Sequence, residues 1–373
     1  EDGDAVAQVN LGLVFNLGRG VAKDEQQAVF WNRKAAERGL AAAQYNLGAA
    51  FSVGRGVGQD DKHAVFWYHK AAEQGLKEAQ FNLGNAFRFG RGVAQDAKQA
   101  VIWYRRAAEQ GDVNAQFNLA LAFHFGNGVV KDERQGVIWW LKAAEQGHAK
   151  AQFNLGGAFH AGRGVDKDEK QAVFWWRKAA EQGGVEAQFN LGVCFDLGRG
   201  VDNDDKQAAF WYHKAAEQGN PRGQFNLAAT LANGAGVDKD AKQAATWLRK
   251  AAEQGDADAC FQLADFLHFN KDERAADEWI SRGLAHADSN SFGALMHLAQ
   301  HLLAGDDKQK AVDYIKQAAK RGHAPALIGL AHSRIQSSDK AKFAAGLELQ
   351  RFSSARPVHQ LPANSAPSSI DRS

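Results

Sequence analysis

The sequence is short of cysteine, of net charge and of long apolar runs, and each shortage excludes a class of protein. Two cysteines, Cys194 and Cys260, are too few for a disulfide-stapled scaffold. We expect both as free, buried thiols, and the compartment, periplasmic or secreted versus cytoplasmic, stays open. A net charge of +2 gives no case for nucleic acid or an anionic membrane as a partner. No apolar run reaches the about 18 residues that a membrane-spanning helix needs.

Motifs that carry catalysis or bind cofactors are also missing. The sequence contains no phosphate-binding P-loop, no H-E-x-x-H or C-x-x-C, no G-x-S-x-G and no dinucleotide-binding glycine motif. One metal-like pair, His297 and His301, lies at i, i+4 on a predicted helix. No third ligand is evident, so an ordinary helix surface is the favoured interpretation. We therefore predict a protein that is not an enzyme and holds no cofactor.

What the chain does contain is a repeated unit, seen most clearly in residues 79–111. Close copies recur every 36 residues, with starts near residues 4, 40, 76, 112, 148, 184 and 220. Each copy opens on a predicted helix whose Ala, Leu and Phe, such as Ala79, Leu83 and Phe87, share one side at spacing i, i+4, i+8. A fixed period of this length indicates a solenoid of stacked helix pairs.

The joints of the unit are as regular as its helices. The sequence G-R-G-V at residues 90–93 supplies glycines that accept positive φ and a valine that can turn back over the core. Asp96 and Gln99 form a predicted capping box, in which Asp96 accepts from the backbone of the second helix and Gln99 reaches back. The glycine that follows the leucine, Gly84, predicts a close approach of the two helices.

The regular repeats occupy only part of the chain. Residues 1–255 carry seven regular copies, and residues 256–350 carry shortened pairs that we expect to cap the solenoid. The first shortened pair replaces G-R-G-V by a shorter turn at residues 270–272, before a helix that carries Trp279. Residues 351–373, rich in Ser and Pro, are predicted to be disordered. The first residues align with the end of a repeat, so we expect the chain to begin inside one and any targeting segment to lie upstream.

These motifs are similar to a known repeat. Helix pairs that read A-x-x-x-L-G-x-x-[FY]-x-x-G-x-G-V and then D-x-x-x-A-x-x-W-[YW]-x-x-A-A-x-x-G resemble the Sel-1-like repeat, a relative of the tetratricopeptide repeat. The likeness covers residues 1–255, and weakly 256–345. It implies an all-α fold, a right-handed α/α superhelical solenoid of about ten helix-pair repeats with a concave groove. It also implies a protein-protein interaction module of the kind found in bacterial and eukaryotic scaffolds, signalling regulators and host-contact factors, with no shared catalytic residues. We expect this one to be bacterial.

The positions that differ between repeats are where we expect a partner to bind. Counted from the repeated alanine, such as Ala79, the third residue of each first helix is a nearly constant aromatic, whereas the seventh and tenth residues vary. This helix is expected on the concave side. Apolar anchors beside mixed polar groups suit a protein or peptide better than a small substrate. Drift at solvated positions is the alternative interpretation and stays open. The predicted partner-binding residues are Phe81, Asn85, Arg88, Phe89, Phe117, Leu121, His124, Phe125, Phe153, His160, Phe189 and Asp196.

Two columns of side chains on the second helices also invite a binding interpretation. A tryptophan recurs in every regular repeat, and we interpret it as core between repeats rather than as a ligand-stacking site. Its members are Trp31, Trp67, Trp103, Trp139, Trp175, Trp211 and Trp247. A basic ridge could engage acidic partners, but because cations also stabilise a helix C-terminus, a solvated face is favoured. Its varied members are Arg33, His69, Arg105, Leu141, Arg177, His213 and Arg249.

The leading functional prediction is a scaffold or adaptor that captures a protein or peptide. One alternative, from analogy, is an immunity or inhibitory partner of a secreted bacterial effector. A second is a structural or regulatory protein of the envelope, and a less favoured third is a metal-dependent regulator or enzyme centred on His297 and His301. Because His124 and His160 fall in the varied column and free histidine titrates near pH 6.5, we expect partner affinity to change between about pH 5 and 7.

Overall fold

The computed structural model describes residues 4–286, and every helix or strand within that range is an α-helix. The chain divides into two compact units, one ending at Trp175 and the other beginning at Trp176. The helices are α1 Ala5–Leu17, α2 Glu25–Glu37, α3 Ala41–Val53, α4 Asp61–Glu73, α5 Lys77–Phe89, α6 Ala97–Glu109, α7 Val113–Phe125, α8 Glu133–Glu145, α9 Ala149–Ala161, α10 Glu169–Glu181, α11 Val185–Leu197, α12 Asp205–Glu217, α13 Pro221–Asn233, α14 Ala241–Glu253, α15 Ala257–Phe269 and α16 Glu273–His286.

Within each unit the helices form a chain of pairs. Each odd-numbered helix is here called a first helix and each even-numbered helix a second helix. From α1 to α9, and again from α11 to α16, each helix packs against the one that follows it. One such pair is a repeat. The predicted all-α solenoid of helix pairs is therefore confirmed over the described residues. The later shortened pairs, His297, His301 and the tail from residue 351 lie outside those residues.

The second helices begin at aspartate caps, as the sequence predicts. One carboxylate oxygen of Asp96 accepts hydrogen bonds from the backbone amides of Lys98 and Gln99, at 2.8 and 3.1 Å. The other half of the predicted capping box is wrong. The backbone amide of Asp96 donates not to Gln99 but to the carbonyl oxygen of Phe87, at 2.9 Å. The close packing of the two helices supplies this partner, so the cap joins them directly.

The G-R-G-V turn ends the first helix and also reaches the preceding repeat. Gly90 and Gly92 have φ values of 67° and 70°, in the left-handed region that glycine occupies at little cost. A Cβ atom at Gly92 would overlap the carbonyl oxygen of Asp61, which lies at the start of the second helix one repeat earlier. The valine of the turn packs against the core, as predicted, for example at Val129.

The two helices of a repeat meet at the small residue after the leucine. A Cβ atom at Gly84 would lie only 2.7 Å from the ring of Tyr104, so the predicted close approach is confirmed. Where this position is Ala120, the facing helix carries Gly136 instead of the alanine of most other repeats. Space for the ring is thus made on one helix or on the other.

The tryptophan column lies between repeats, as predicted. Trp103 is 6% exposed and belongs to the core cluster of the preceding repeat, which contains Tyr68. In the second to sixth repeats the residue after the tryptophan is a second aromatic that is buried more deeply still, with Tyr104 2% and Trp140 1% exposed. That second aromatic fills the interior of its own repeat against the small residue of the first helix, and the sequence analysis did not single it out.

A buried glutamine joins neighbouring repeats, and sequence reasoning missed it. The side-chain amide of Gln116 donates to the carbonyl oxygen of Ala108 in the preceding repeat, at 3.1 Å. Its side-chain oxygen accepts from the amide of Gln146, at the end of its own repeat, at 2.8 Å. The same residue, 3–4% exposed and bonded to the preceding second helix, recurs at Gln44, Gln80, Gln152, Gln188 and Gln224. We call this set the glutamine ladder.

The eighth repeat departs from the pattern as the sequence predicts. A short turn around Lys271, whose φ is 64°, joins α15 to α16, and α16 carries the buried Trp279. Cys260 takes the place of the ladder glutamine, with its sulfur 3.7 Å from the carbonyl oxygen of Ala252. Cys260 and Cys194 are both free and buried, as expected.

The glycine of the turn offers a matched test of contact between repeats. Gly111→Ala places a methyl group in open space at φ 83°, so only backbone strain of about 1–2 kcal/mol is expected. Gly92→Ala adds the overlap with Asp61 to a similar strain and is expected to cost about 2–5 kcal/mol. Denaturant unfolding followed by circular dichroism measures both. Equal losses would contradict the contact between repeats.

The glutamine ladder predicts a second stability difference. Gln116→Met keeps the length of the side chain but removes one buried and one partly buried hydrogen bond, so we expect a loss of about 1–3 kcal/mol of unfolding free energy. Gln171→Met is the control, because Gln171 is exposed and it is the backbone amide of this residue that donates to Asp168. The same unfolding measurement applies. A Gln116→Met variant as stable as the control would show that the ladder contributes nothing.

Candidate functional site

The first helices carry the predicted binding residues on what we call the first-helix face. It consists of the third, seventh, tenth and eleventh residues of each copy, counted from the repeated alanine, which is Ala79 in α5. The third residues are aromatic and half-buried in α3, α5, α7 and α9, which keeps part of each ring accessible. Phe81 lies 6.1 Å from Tyr104, between ring centroids, and Phe117 stacks on His148 at 4.5 Å. Phe153 is likewise half-buried. These rings line the face but are anchored in the core beneath it.

Polar side chains of the face are held by hydrogen bonds rather than left to move freely. Asn85, half-buried, accepts a bond of 2.7 Å from the hydroxyl of Tyr104. Burial raises the pKa of that hydroxyl to about 12, so it stays protonated and donates. Arg88 donates to the side-chain oxygen of Asn118 in the next repeat, at 3.0 Å. The face is thus pre-ordered across a repeat boundary.

The two histidines of the tenth position lie in different surroundings. His124 is only 7% exposed and packs 5.0 Å from the ring of Trp140, and burial lowers its pKa. His160 is half-buried, with Nδ1 2.8 Å from a carboxylate oxygen of Glu169. Although burial raises it, the hydrogen bonds from His160 and Lys167 hold the pKa of Glu169 below its ordinary value. His160 is therefore the more exposed histidine of this pair.

The eleventh residues are the most accessible apolar groups of the candidate set. Phe89 is 38% and Phe125 41% exposed, at equivalent places in neighbouring repeats. The guanidinium carbon of Arg88 lies 5.1 Å from the ring centroid of Phe89, and that of Arg91 lies 5.6 Å away. Leu121 is half-buried and packs against the core. Exposed rings beside cations are what a polypeptide partner would meet first.

The remaining two predicted residues belong to the second unit. Phe189 is buried, 4% exposed, and its ring lies 6.1 Å from Tyr212. Asp196 is half-buried and accepts a bond of 3.1 Å from the hydroxyl of Tyr212, whose pKa burial and this carboxylate raise well above the ordinary value. Both residues contribute to the interior of that unit, and Phe189 offers little surface to a partner.

The second helices carry an exposed apolar set that the sequence analysis did not identify. The residue before each tryptophan is an exposed Phe or Ile in the first unit. The signal in the sequence was a run of three apolar residues, as in Val65-Phe66-Trp67, which cannot all face one side of a helix. Its members are Phe30, Phe66, Ile102, Ile138 and Phe174.

The described residues give no support to a metal or membrane function. Among residues 4–286 there is no group of three or more His, Cys, Asp or Glu side chains arranged to hold a metal ion. Over the same range no helix is both long and apolar enough to cross a membrane. A cleft of about 580 Å³ lies between the start of α2 and the turn at Gly56, lined largely by charged side chains and backbone, and it brings together no catalytic set.

The comparison with known families matches the repeats seen in the structure. The family profile described as "Sel1 repeat" matches residues 5–40, 41–76, 77–112, 113–148, 149–184, 185–220, 221–256 and 293–323. The first seven matches begin within one residue of the predicted starts, and the eighth falls where a shortened pair was expected. A search of proteins with curated functions gave no match.

Solved structures show the same architecture. A protective antigen present in uropathogenic Escherichia coli strains, with an SLR fold, is 35% identical at a TM-score of 0.80, covering 88% of this chain and 72% of that one. A Sel1 repeat protein from Oxalobacter formigenes is 35% identical at a TM-score of 0.58, covering 70% and 76%. An immunity protein from Pseudomonas aeruginosa is 22% identical at a TM-score of 0.34, covering 58% of this chain and 82% of that one, which is too weak a likeness to support a conclusion.

His148, whose ring stacks on Phe117 of the first-helix face, predicts a pH dependence of stability. Nδ1 of His148 accepts a bond of 3.1 Å from the amide of Ala151 at the start of α9, and burial, with Lys150 nearby, lowers its pKa. A lowered folded-state pKa means that the stability contribution is complete above about pH 6.5 and is lost as the pH falls below it. His148→Asn should keep the cap, as Asn220 does in its own repeat, and lose less stability between pH 7 and pH 5.

Chemical unfolding of the wild type and His148→Asn at both pH values measures the difference. The pKa of His124 is also lowered, but because His124 is present in both proteins its contribution to the pH dependence cancels in the comparison. An identical loss in the two proteins would contradict the assignment of this pH dependence to His148.

Proposed function

The chain belongs to the Sel1 repeat family, and we propose on this premise that it is a non-enzymatic adaptor whose first-helix face binds a protein or peptide. Helical repeats of this family form scaffolds that are typical of protein-interaction modules. The finer assignment concerns which face binds and what kind of segment it accepts.

The exposed pair Phe89 and Phe125 carries the proposal. The two rings occupy the same position in neighbouring repeats and are 38% and 41% exposed, so a bound chain could cover both. Arg88 and Arg91 lie against the first of them. Large aromatic groups combined with arginine supply most of the binding energy in typical protein interfaces. A polypeptide segment with apolar side chains fits this arrangement.

Selectivity would come from the residues that differ between repeats. The tenth position changes from Ser52 to Arg88, His124 and His160 along the first unit, while the residues that hold the repeats together stay constant. Arg88 is fixed by Asn118 before any partner arrives, which lowers the entropy cost of binding. The immunity and envelope roles named as alternatives stay predictions, because no contact in the described residues favours either.

The test is a displayed library of random peptides selected on the full chain. We expect enriched peptides to bind the wild type and to lose about tenfold or more in affinity with Phe89→Gln/Phe125→Gln, because two exposed anchors are removed. The matched control is Phe66→Gln/Ile102→Gln, two similarly exposed apolar residues on the second helices of neighbouring repeats. This control should leave the affinity of these peptides within about twofold.

Two outcomes would defeat the assignment. One is a set of enriched peptides whose affinity is unchanged by Phe89→Gln/Phe125→Gln. The other is a set that is weakened only by the control variant, which would move the site to the second helices. Circular dichroism of each variant excludes unfolding as the cause of a lost affinity.

A further inference from the structure

The second helices of the first unit present a regular row of exposed apolar side chains, which we call the apolar ladder. One member stands in each repeat, at the position just before the tryptophan, and each is 44–49% exposed. The members are Phe30, Phe66, Ile102, Ile138 and Phe174. Single exposed apolar residues need no explanation, but five at one repeated position form a continuous feature.

The ladder residues are seated rather than loose. The ring of Phe66 meets Trp67 edge-on, with 5.0 Å between centroids, and Phe30 meets Trp31 in the same way at 5.2 Å. Trp67 is itself half-buried, so the two rings form one accessible apolar surface. A fixed aromatic surface loses little conformational entropy when a partner covers it.

Cations flank each central ladder residue by one helical turn on both sides. Lys62 and Lys70 stand four residues before and after Phe66, and the ammonium nitrogen of Lys70 lies 4.6 Å from the ring centroid. The same arrangement recurs as Lys98, Ile102 and Arg106 and as Arg134, Ile138 and Lys142. An apolar row therefore runs between two basic rows, although the whole chain has a net charge of only +2.

A purely solvated face does not explain this pattern. The equivalent position in the seventh repeat is Thr246, an exposed polar residue whose hydroxyl bonds to the carbonyl oxygen of Lys242. The fold thus accommodates a polar side chain there, and in the first unit all five repeats nevertheless carry Phe or Ile. Self-association through this face is disfavoured too, because it would bring the basic rows of two copies together.

We propose that the apolar ladder and its flanking cations bind an acidic polypeptide segment that carries apolar side chains. Charge complementarity selects an acidic partner, and the ladder supplies the apolar contact. An anionic membrane fits less well. Each second helix of the first seven repeats also places an exposed glutamate at its last residue, such as Glu73 and Glu109, which would face the negative charge of a continuous lipid surface. A peptide can place its acidic groups over the cations alone.

The repeat spacing defines the pattern expected in the partner. Neighbouring second helices touch, with 5.5 Å between the ring centroids of His69 and Trp103. Helices in contact lie about 8–10 Å apart, and about seven residues of an α-helix cover about 10 Å. A partner helix lying along the ladder would therefore place an apolar residue about every seventh position, with Asp or Glu beside it.

A designed peptide pair tests this surface on the full chain. The first is a fluorescently labelled helix of about 20 residues, about 30 Å long, with leucine at every seventh position and glutamate beside it. The second has lysine in place of each glutamate. We expect the acidic peptide to bind in fluorescence anisotropy and the basic one to bind at least about tenfold more weakly. Added salt should weaken the acidic complex.

Variants then assign the binding to the ladder. Phe66→Gln/Ile102→Gln and the charge reversal Lys70→Glu/Arg106→Glu are each expected to weaken binding at least about tenfold. The matched control Phe89→Gln/Phe125→Gln, on the first helices, should change it by less than about twofold. The proposal fails if the acidic peptide does not bind, if the basic peptide binds equally well, or if the control weakens binding as much as the ladder variants.

A vesicle experiment separates the membrane alternative. Vesicles of mixed phosphatidylcholine and phosphatidylserine, sedimented with the protein, should leave it in solution. Co-sedimentation that is lost in Phe66→Gln/Ile102→Gln would overturn the proposal in favour of a lipid surface. The result for the apolar ladder is independent of the first-helix face, because binding to the first-helix face depends on Phe89 and Phe125.

Discussion

The register of each repeat on the preceding one depends on one buried amide side chain. A primary amide removed from water must find hydrogen-bond partners or cost several kcal/mol. Gln116 finds them in two different elements, the carbonyl of Ala108 one repeat earlier and the amide of Gln146 in its own repeat. Any sliding or rotation of one repeat against the preceding one would break the bond to Ala108, while the bond to Gln146 holds the amide in place within its own repeat. The register of the stack is thereby fixed by a polar contact inside an otherwise apolar interface.

Fixing the interior in this way leaves the two helix surfaces free to differ in chemistry. On the first helices, accessible rings alternate with polar groups that change from repeat to repeat, such as Arg88 and His160. On the second helices of the first unit a Phe or Ile returns in every repeat, between cations in the central repeats, as around Phe66. A varied surface can distinguish one sequence from another, whereas a uniform one is suited to a partner that is itself periodic.

The fold could be derived from the sequence because its determinants are local. Gly84 predicts a close approach of two helices, Gly92 a positive φ and Asp96 a helix cap, and the structure contains all three. The ladder glutamine was missed because glutamine is usually exposed, although the residue equivalent to Gln116 is glutamine in all seven regular copies. For the candidate site, sequence spacing found the right helices, but His124 and Phe189 are buried, because spacing gives the side of a helix and not the neighbours that cover it.

The bonds of the glutamine ladder join residues at constant separations along the chain, eight residues to the carbonyl and 30 to the second glutamine. From the second to the seventh repeat, the ladder glutamine therefore finds the same carbonyl in the block before it. A duplication or deletion of one of these whole blocks in the gene would leave each remaining bond to a carbonyl with an equivalent partner. Such a protein can change length in a single genetic event without refitting an interface, and its binding surfaces lengthen or shorten with it. Cys260, with sulfur where the amide should be, marks the point at which that interchangeability ends.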